Sequence, residues 1–290
     1  MGKRTLISIL LPAKDSSKTI KLAIQSTLFS APKDSELLVM DDGSSDNTFE
    51  IARQLATEDP RLKVFRHSTS QGVASSLNAL LAESKGEFIA RMDADDISAP
   101  WRIPIQINAL KKGKADFVFT TAVRFGTSGV RPQRPLSLRK QESVIELLFF
   151  NPFVHSTMAC KSEKIKALGG YSDAPAEDYE LWIRASLANF SIIRLPIPSL
   201  LYRVHSNQVT ADQQWVERRR TDLILETSKS DLTALVLNQL GSAMNALSAY
   251  EELSRQENKQ TRLLQALQSS PIAMKVRRRV YADIRRSFKK

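Results

Sequence analysis

Two hydrophobic periods alternate through the first 125 residues, and that alternation constrains the fold more than any other feature of this 290-residue chain. Residues 6–11 form a short apolar run interrupted only by Ser8, as suits a strand buried on both faces. Residues 16–29 then place Ile20, Ala23, Ile24, Thr27 and Leu28 at helical spacing. Further strands are predicted at 37–40, 62–65, 88–92 and 117–123. Helices are predicted at 46–56, with Asp46 as N-cap, at 72–83 and at 101–111. Strands that alternate with helices of this length imply an α/β protein with a Rossmann-like, mostly parallel, doubly wound sheet flanked by helices.

Beyond residue 125 the pattern changes twice. Residues 126–138 are rich in Gly, Pro, Ser and Arg and read as a loop or subdomain boundary. Residues 139–210 mix short helices and strands, and 211–290 read as a helical extension without strand pattern. The expected organisation is a catalytic domain over 1–210, divided into halves 1–125 and 126–210, followed by that extension. A single Cys excludes an intramolecular disulfide framework and any multi-cysteine metal site. No apolar run is long enough to span a bilayer, and the first apolar stretch continues into Pro12, Lys14 and Asp15 without a cleavage signal. A cytoplasmic, reducing location is the default expectation.

Charge is distributed unevenly. The net charge is +11, yet residues 271–290 hold eight basic residues and one acid, leaving only +4 for residues 1–270. That excludes a uniformly basic nucleic-acid-binding body. Within the tail, Ile272, Val276, Val280, Ile284 and Phe288 recur every four positions among the bases. Such a basic amphipathic helix suits an anionic membrane surface, and equally a packed terminal helix with a solvated basic face. Residues 213–268 could pack on the catalytic domain or pair with a second chain.

Acids gather where strands end. Asp41-Asp42-Gly43-Ser44-Ser45-Asp46 follows the second predicted strand, and Asp93-Ala94-Asp95-Asp96 follows the fourth. Ligands of open α/β sheets bind outside the carboxyl ends of strands. Hard carboxylate oxygens there suit Mg2+ or Mn2+, which in turn suit a diphosphate. Glu177-Asp178 opens a further helix, either as a cap or as a carboxylate poised to take a proton. Trp182 shares an inward helix face with Leu181 and Ala185 and reads as core.

Six segments taken in order resemble an inverting family 2 glycosyltransferase of the glycosyltransferase-A fold. They are Ile9-Leu10-Leu11-Pro12; Val39 to Thr48 with its Asp41-Asp42-Gly43-Ser44; Gly72 with Asn78; Gly86 to Asp96; Gly169-Gly170-Tyr171 with Glu177-Asp178 and Leu181-Trp182-Ile183-Arg184; and Tyr202-Arg203-Val204-His205. Residues 5–210 are covered. One departure stands out: an aromatic residue and Asn often follow the proline at two and three places, where this chain has Lys14 and Asp15. The resemblance implies transfer of a sugar, most simply from a UDP-sugar, to an acceptor hydroxyl. It implies Asp178 as general base, Asp95 as metal ligand, and His205 on the metal or the diphosphate. Pro12, Ala13, Asp15, Asn78 and Ala94 would border the donor, and Asp93 would meet the ribose or the metal's water shell. Asp41 and Asp42 would hold base and ribose, with Asp42 favoured. His155 would line the acceptor cleft, and Asp96 is a secondary acid or a helix cap. The implied acceptor is lipid-linked or saccharide, at the inner face of a membrane.

Two rivals share parts of this pattern. A sugar-nucleotide nucleotidyltransferase would want a Gly-rich loop after the first strand, where this chain has Pro12-Ala13-Lys14-Asp15. An inactive glycan-assembly scaffold has no need to retain Asp42, Asp93, Asp95 and Asp178 together.

Overall fold

The computed structural model describes residues 6–239 apart from 114, 127–128, 134–135, 206–217 and 219–221. The basic tail 271–290 and most of 213–268 therefore lie outside the described residues. The first half runs β1 (Ile7–Ala13), α1 (Ile20–Ser30), β2 (Ser35–Asp41), α2 (Thr48–Glu58), β3 (Leu62–Arg66), α3 (Val73–Glu83) and β4 (Phe88–Arg91). Then come β5 (Ile97–Ser98), α4 (Arg102–Lys111), β6 (Phe117–Gly126), β7 (Gly129–Pro132) and α5 (Lys140–Leu147). A 3-10 turn (His155–Thr157) leads into β8 (Ala159–Lys161), α6 (Ser162–Ala167), α7 (Glu177–Leu187), β9 (Ile192–Val204) and α8 (Leu223–Gln239).

All nine strands join one sheet in the order β3-β2-β1-β4-β8-β6-β9-β5, with β7 paired to β6. The strands β3, β2, β1 and β4 are parallel, as the alternation predicts. Past β4 the sheet is mixed. The three-residue β8 runs antiparallel to both β4 and β6, and so short a strand leaves no periodic signal. The strands β6 and β9 run parallel, with register irregularities between Phe119 and Ala122. These lie opposite the Pro196–Pro198 stretch of β9, where proline nitrogens offer no hydrogen to the ladder. Residues 126–138 also depart from expectation. They carry the β6–β7 hairpin and so continue the sheet instead of ending a subdomain.

Both faces of β1, β2 and β4 are covered, which is why those strands are buried without alternation. Ile7, Ile9 and Leu11 face one core with α1, α2 and α4. Leu10 faces the other with α3, α5, α6 and α7. Leu225 and Leu232 of α8 join this second core, so the described part of the C-terminal extension packs on the body. Trp182 is fully buried there, edge-on to Phe117 and Phe119. Among the described residues no helix is long and apolar enough to cross a membrane.

A buried polar knot ties β1 to β2 and to the chain entering β4. Ser8 Oγ donates to Glu36 Oε1 at 2.6 Å and accepts the Gly86 amide at 2.8 Å. A Cβ on Gly86 would stand 2.4 Å from the Ser8 nitrogen, against backbone that cannot give way. Gly86→Ala is expected to lower stability by roughly 1–3 kcal/mol, the usual range for overpacking. Urea unfolding of the two proteins checks it.

Candidate active site

Three loops meet where β1, β2 and β3 end. Asp42 is the hub, because it is nearly buried and accepts four hydrogen bonds from the segment after β3. His67 Nδ1 lies 2.9 Å and the Gln71 amide 2.8 Å from its Oδ1; Ser70 Oγ lies 2.7 Å and the Gly72 amide 3.0 Å from its Oδ2. Burial pushes this carboxyl up, but the hydrogen bonds outweigh it and hold it at about 2. A carboxylate offers about four acceptor positions, so Asp42 is saturated by its own loop. The resemblance implies that Asp42 holds base and ribose; in this structure its oxygens are engaged by its own loop. Its neighbour Asp41 is fully buried, accepts Arg66 Nε at 3.0 Å through Oδ2, and keeps Oδ1 without a hydrogen-bond partner among the described residues.

The departures after Pro12 have a structural use. Lys14 Nζ donates to Ser70 Oγ at 2.9 Å, and so extends the Asp42 network to the first loop. Asp15, at φ 45°, accepts the Ser45 amide at 2.8 Å and joins the first loop to the second. Pro12 and Ala13 are buried at the end of β1, and Ala13 O accepts the Asp42 amide at 2.8 Å. The N-cap of α2 is Asn47 and not Asp46, because the helix begins two residues later than expected; Asp46 accepts the Thr48 amide at 3.0 Å from one position further out.

The second acidic run follows β4. Ligand atoms of Asp93, Asp95 and Asp96 lie within 4.8 Å of one another. Asp93 is ion-paired to the buried Arg91. Asp96 is almost wholly buried and accepts Ser156 Oγ at 2.6 Å and the Arg203 amide at 2.9 Å. Burial, with Asp93 and Asp95 nearby, pushes its carboxyl well above the ordinary range. Asp95 is the most open of the three, and His205 Nε2 stands 3.0 Å from its Oδ2. An all-oxygen set with one adjacent imidazole fits Mn2+ or Mg2+. Ala94 is buried between the acids. Burial, then the three acids, pushes the nearby Tyr202 hydroxyl up to about 12.

On the acceptor side, Glu177 and Asp178 open α7. Burial raises both carboxyls, Glu177 to about 7. Asn151 Nδ2 donates to Asp178 Oδ2 at 2.8 Å, while Asn151 Oδ1 accepts the Phe153 amide at 3.1 Å. His155 is buried 3.0 Å from Tyr171 Oη and 3.6 Å from Glu177 Oε1, and burial drives it down to about 3, so its imidazole is neutral. It is packed edge-on to Trp182. Asn78 is spent on backbone: Nδ2 donates to Tyr171 O at 2.8 Å and Oδ1 accepts the Tyr171 amide at 2.9 Å. It holds the loop that carries Gly170 and Tyr171. Trp101 donates from Nε1 to Pro198 O at 2.9 Å and joins α4 to β9.

Sequence reasoning missed Arg91, Ser156, Arg203 and Asn151 as members of the site. Arg91 had a readable signal, a cation inside an otherwise apolar strand directly before three acids. The others depend on long-range pairing; the amide of Arg203 and the carboxylate of Asp96 are 107 residues apart.

The mixed sheet, with acids at the end of its fourth strand and a carboxylate-led helix, has the glycosyltransferase-A architecture of the solved structures it superposes on. The family model "Glycosyl transferase family 2" matches residues 8–166, more than half of the chain. The chain belongs to that family, and it is a glycosyltransferase. It is 32% identical over 190 residues to EpsE of Bacillus subtilis (strain 168), described as a glycosyltransferase, covering 63% of this chain and 68% of that protein. It is 25% identical over 215 residues to the Escherichia coli UDP-Glc:alpha-D-GlcNAc-diphosphoundecaprenol beta-1,3-glucosyltransferase WfaP, covering 72% and 81%. Among solved structures, S. aureus TarS 1-349 with UDP-GlcNAc superposes with a TM-score of 0.64 at 20% identity, covering 90% of this chain and 79% of that one. The mannosyltransferase PcManGT from Pyrobaculum calidifontis, in complex with GDP-Man and Mn2+, gives 0.59 at 18% identity, covering 87% and 82%.

The Asp42 network carries a pH signature. Its folded value of about 2 lies below the usual 3.8, so its contribution is complete above pH ~4 and is lost as pH falls through ~2. Asp42→Asn is expected to cost about 2 kcal/mol at neutral pH, a difference that shrinks towards pH 2. Denaturant unfolding of both proteins across that range is the check.

Proposed function

We propose that this enzyme transfers a sugar from a nucleoside diphosphate sugar, with uridine as the nucleoside, to an acceptor hydroxyl with inversion at the anomeric carbon. The setting is assembly of a cell-surface polysaccharide or glycolipid. The observation that carries the reading is Arg91. This buried guanidinium pairs with Asp93 on the donor side and acts electrostatically on Glu177 at the head of α7. The same guanidinium also acts electrostatically on Asp178, the candidate base, so it stands between the donor acids and the head of α7. Relatives support the substrates: WfaP is named for UDP-Glc and a diphosphoundecaprenol acceptor, and the fold neighbours were captured with UDP-GlcNAc or GDP-Man.

In this reading Asp41 Oδ1, buried and unpartnered, accepts a hydrogen bond from the nucleobase, while the Asp42 network holds the surrounding loops still. Asp93, kept in place by Arg91, meets the ribose. A Mn2+ or Mg2+ ion held by Asp95 and His205 would neutralise charge on the departing diphosphate. Asp178 takes the proton from the acceptor hydroxyl as its oxygen attacks the sugar from the face opposite the leaving group. Burial raises the basicity of Asp178, and Asn151 fixes the carboxylate's rotamer. The acceptor is lipid-linked, and the tail 271–290 would bring the enzyme to an anionic inner membrane face.

Two substitutions separate the roles. Asp178→Asn removes the base but no donor contact, so kcat should fall on the order of 100- to 10,000-fold while UDP affinity with Mn2+ stays unchanged. Near-normal turnover would exclude Asp178 as base. Asp95→Ala should weaken Mn2+ binding at least about tenfold, read by the electron paramagnetic resonance signal of free Mn2+; undiminished binding would remove Asp95 from the ligand set.

A further inference from the structure

The charge of the body is not spread over it. Between Asp116 and Glu142 there is no acid, and Arg124, Arg131, Arg134, Arg139 and Lys140 give residues 117–141 a net +5. Since residues 1–270 carry +4, everything else in them sums to −1. Two of these five bases, Arg124 and Arg131, lie on β6 and β7.

The register concentrates that charge further. Arg124 and Arg131 are directly opposite each other in the antiparallel β6–β7 pair. Like charges placed so are destabilising, and neither arginine has an acidic partner among the described residues. Both are exposed. The hairpin is nonetheless well tied down: the Gln133 amide donates to Ala122 O at 3.2 Å, and Gln133 Oε1 accepts the Ala122 amide at 3.2 Å.

The facing of this pair follows from the neighbouring strand. Arg124 is in register with Tyr202 of β9, so the two side chains leave the same face of the sheet. Tyr202 is the residue whose hydroxyl lies in the field of Asp93, Asp96 and Asp95. Arg124 and Arg131 thus continue, one and two strands away, the row that begins beside the acids. At about 4.8 Å per strand the row spans roughly 10 Å. The opposite face is occupied differently, with the Arg203 guanidinium 4.6 Å from the Phe125 ring centroid.

We propose that Arg124 and Arg131 form a binding subsite for the diphosphate group of a polyprenyl-linked acceptor. This rests on the glycosyltransferase reading above and narrows its acceptor to one that carries phosphoryl groups next to the receiving sugar. The donor's own diphosphate belongs at the acids with a cation. Paired guanidiniums without a metal suit a second diphosphate, because each planar fork can hold two phosphate oxygens. The electrostatic cost of placing the two arginines opposite each other is relieved when that anion is bound.

The test is direct binding of farnesyl diphosphate to the full chain by isothermal titration, without divalent metal so that the acids repel the probe. Wild type should bind it, and Arg124→Gln/Arg131→Gln should bind at least tenfold more weakly, with UDP affinity in the presence of Mn2+ the same in both. Arg124→Lys/Arg131→Lys, which keeps the charge, should recover part of the affinity. Absence of wild-type binding, equal binding by the Gln variant, or no recovery in the Lys variant would each overturn the proposal. A parallel arm uses phosphatidylglycerol vesicles. If the Gln variant loses vesicle binding but keeps farnesyl diphosphate, the pair is a membrane-headgroup contact and the acceptor assignment falls. Because the readout is binding, the subsite would still be measured if no nucleotide sugar were ever turned over.

Discussion

Carboxylates gathered on one strand end repel each other, and the structure is arranged around making that repulsion tolerable. Asp93, Asp95 and Asp96 sit within 4.8 Å. Each carboxylate has a different restraint: Asp93 a guanidinium, Asp96 a hydroxyl and a backbone amide, Asp95 an imidazole. Arg102, fully buried, donates to the backbone carbonyl of Arg91 and to Met92 Sδ, gripping the strand where it leaves the sheet. Burial and the neighbouring Arg91 pull its own value down to about 10, so even this cation is held at some electrostatic expense. The group left least satisfied is the one best placed to take a metal.

The same logic separates the two acids at the end of β2. Adjacent in sequence, they are treated in opposite ways. Asp42 is filled by four donors from one loop, while Asp41 keeps a buried oxygen with nothing on it among the described residues. A saturated carboxylate builds a wall; an unsaturated one waits for a ligand. The identity of a motif residue therefore says less about its role than the count of donors around it.

Much of this was legible in the chain. The parallel half of the sheet follows from apolar runs that sink both faces, as Ile9 and Leu10 do on opposite sides of β1. The acid runs were visible because strand ends are where ligands gather. What escaped was everything made by long-range pairing. The strand β8 has three residues and no period, and the hairpin of β6 and β7 was hidden under loop-like composition. Asn78 makes its two hydrogen bonds to Tyr171, 93 residues away. No local pattern encodes such partners, because they come from where the backbone brings a distant loop.

The parallel pairing of β6 with β9 has a consequence for how the chain assembles. Phe117 meets Ile192, and His205 reaches Asp95 across 110 residues. The β1–β4 pairing joins Ile7 to Phe88, so both parts of the sheet are closed by contacts of long sequence separation and correspondingly large loop-closure entropy. The imidazole joins its carboxylate only when β9 has docked. An enzyme built this way exposes no completed acid–imidazole pair until the chain is almost wholly folded.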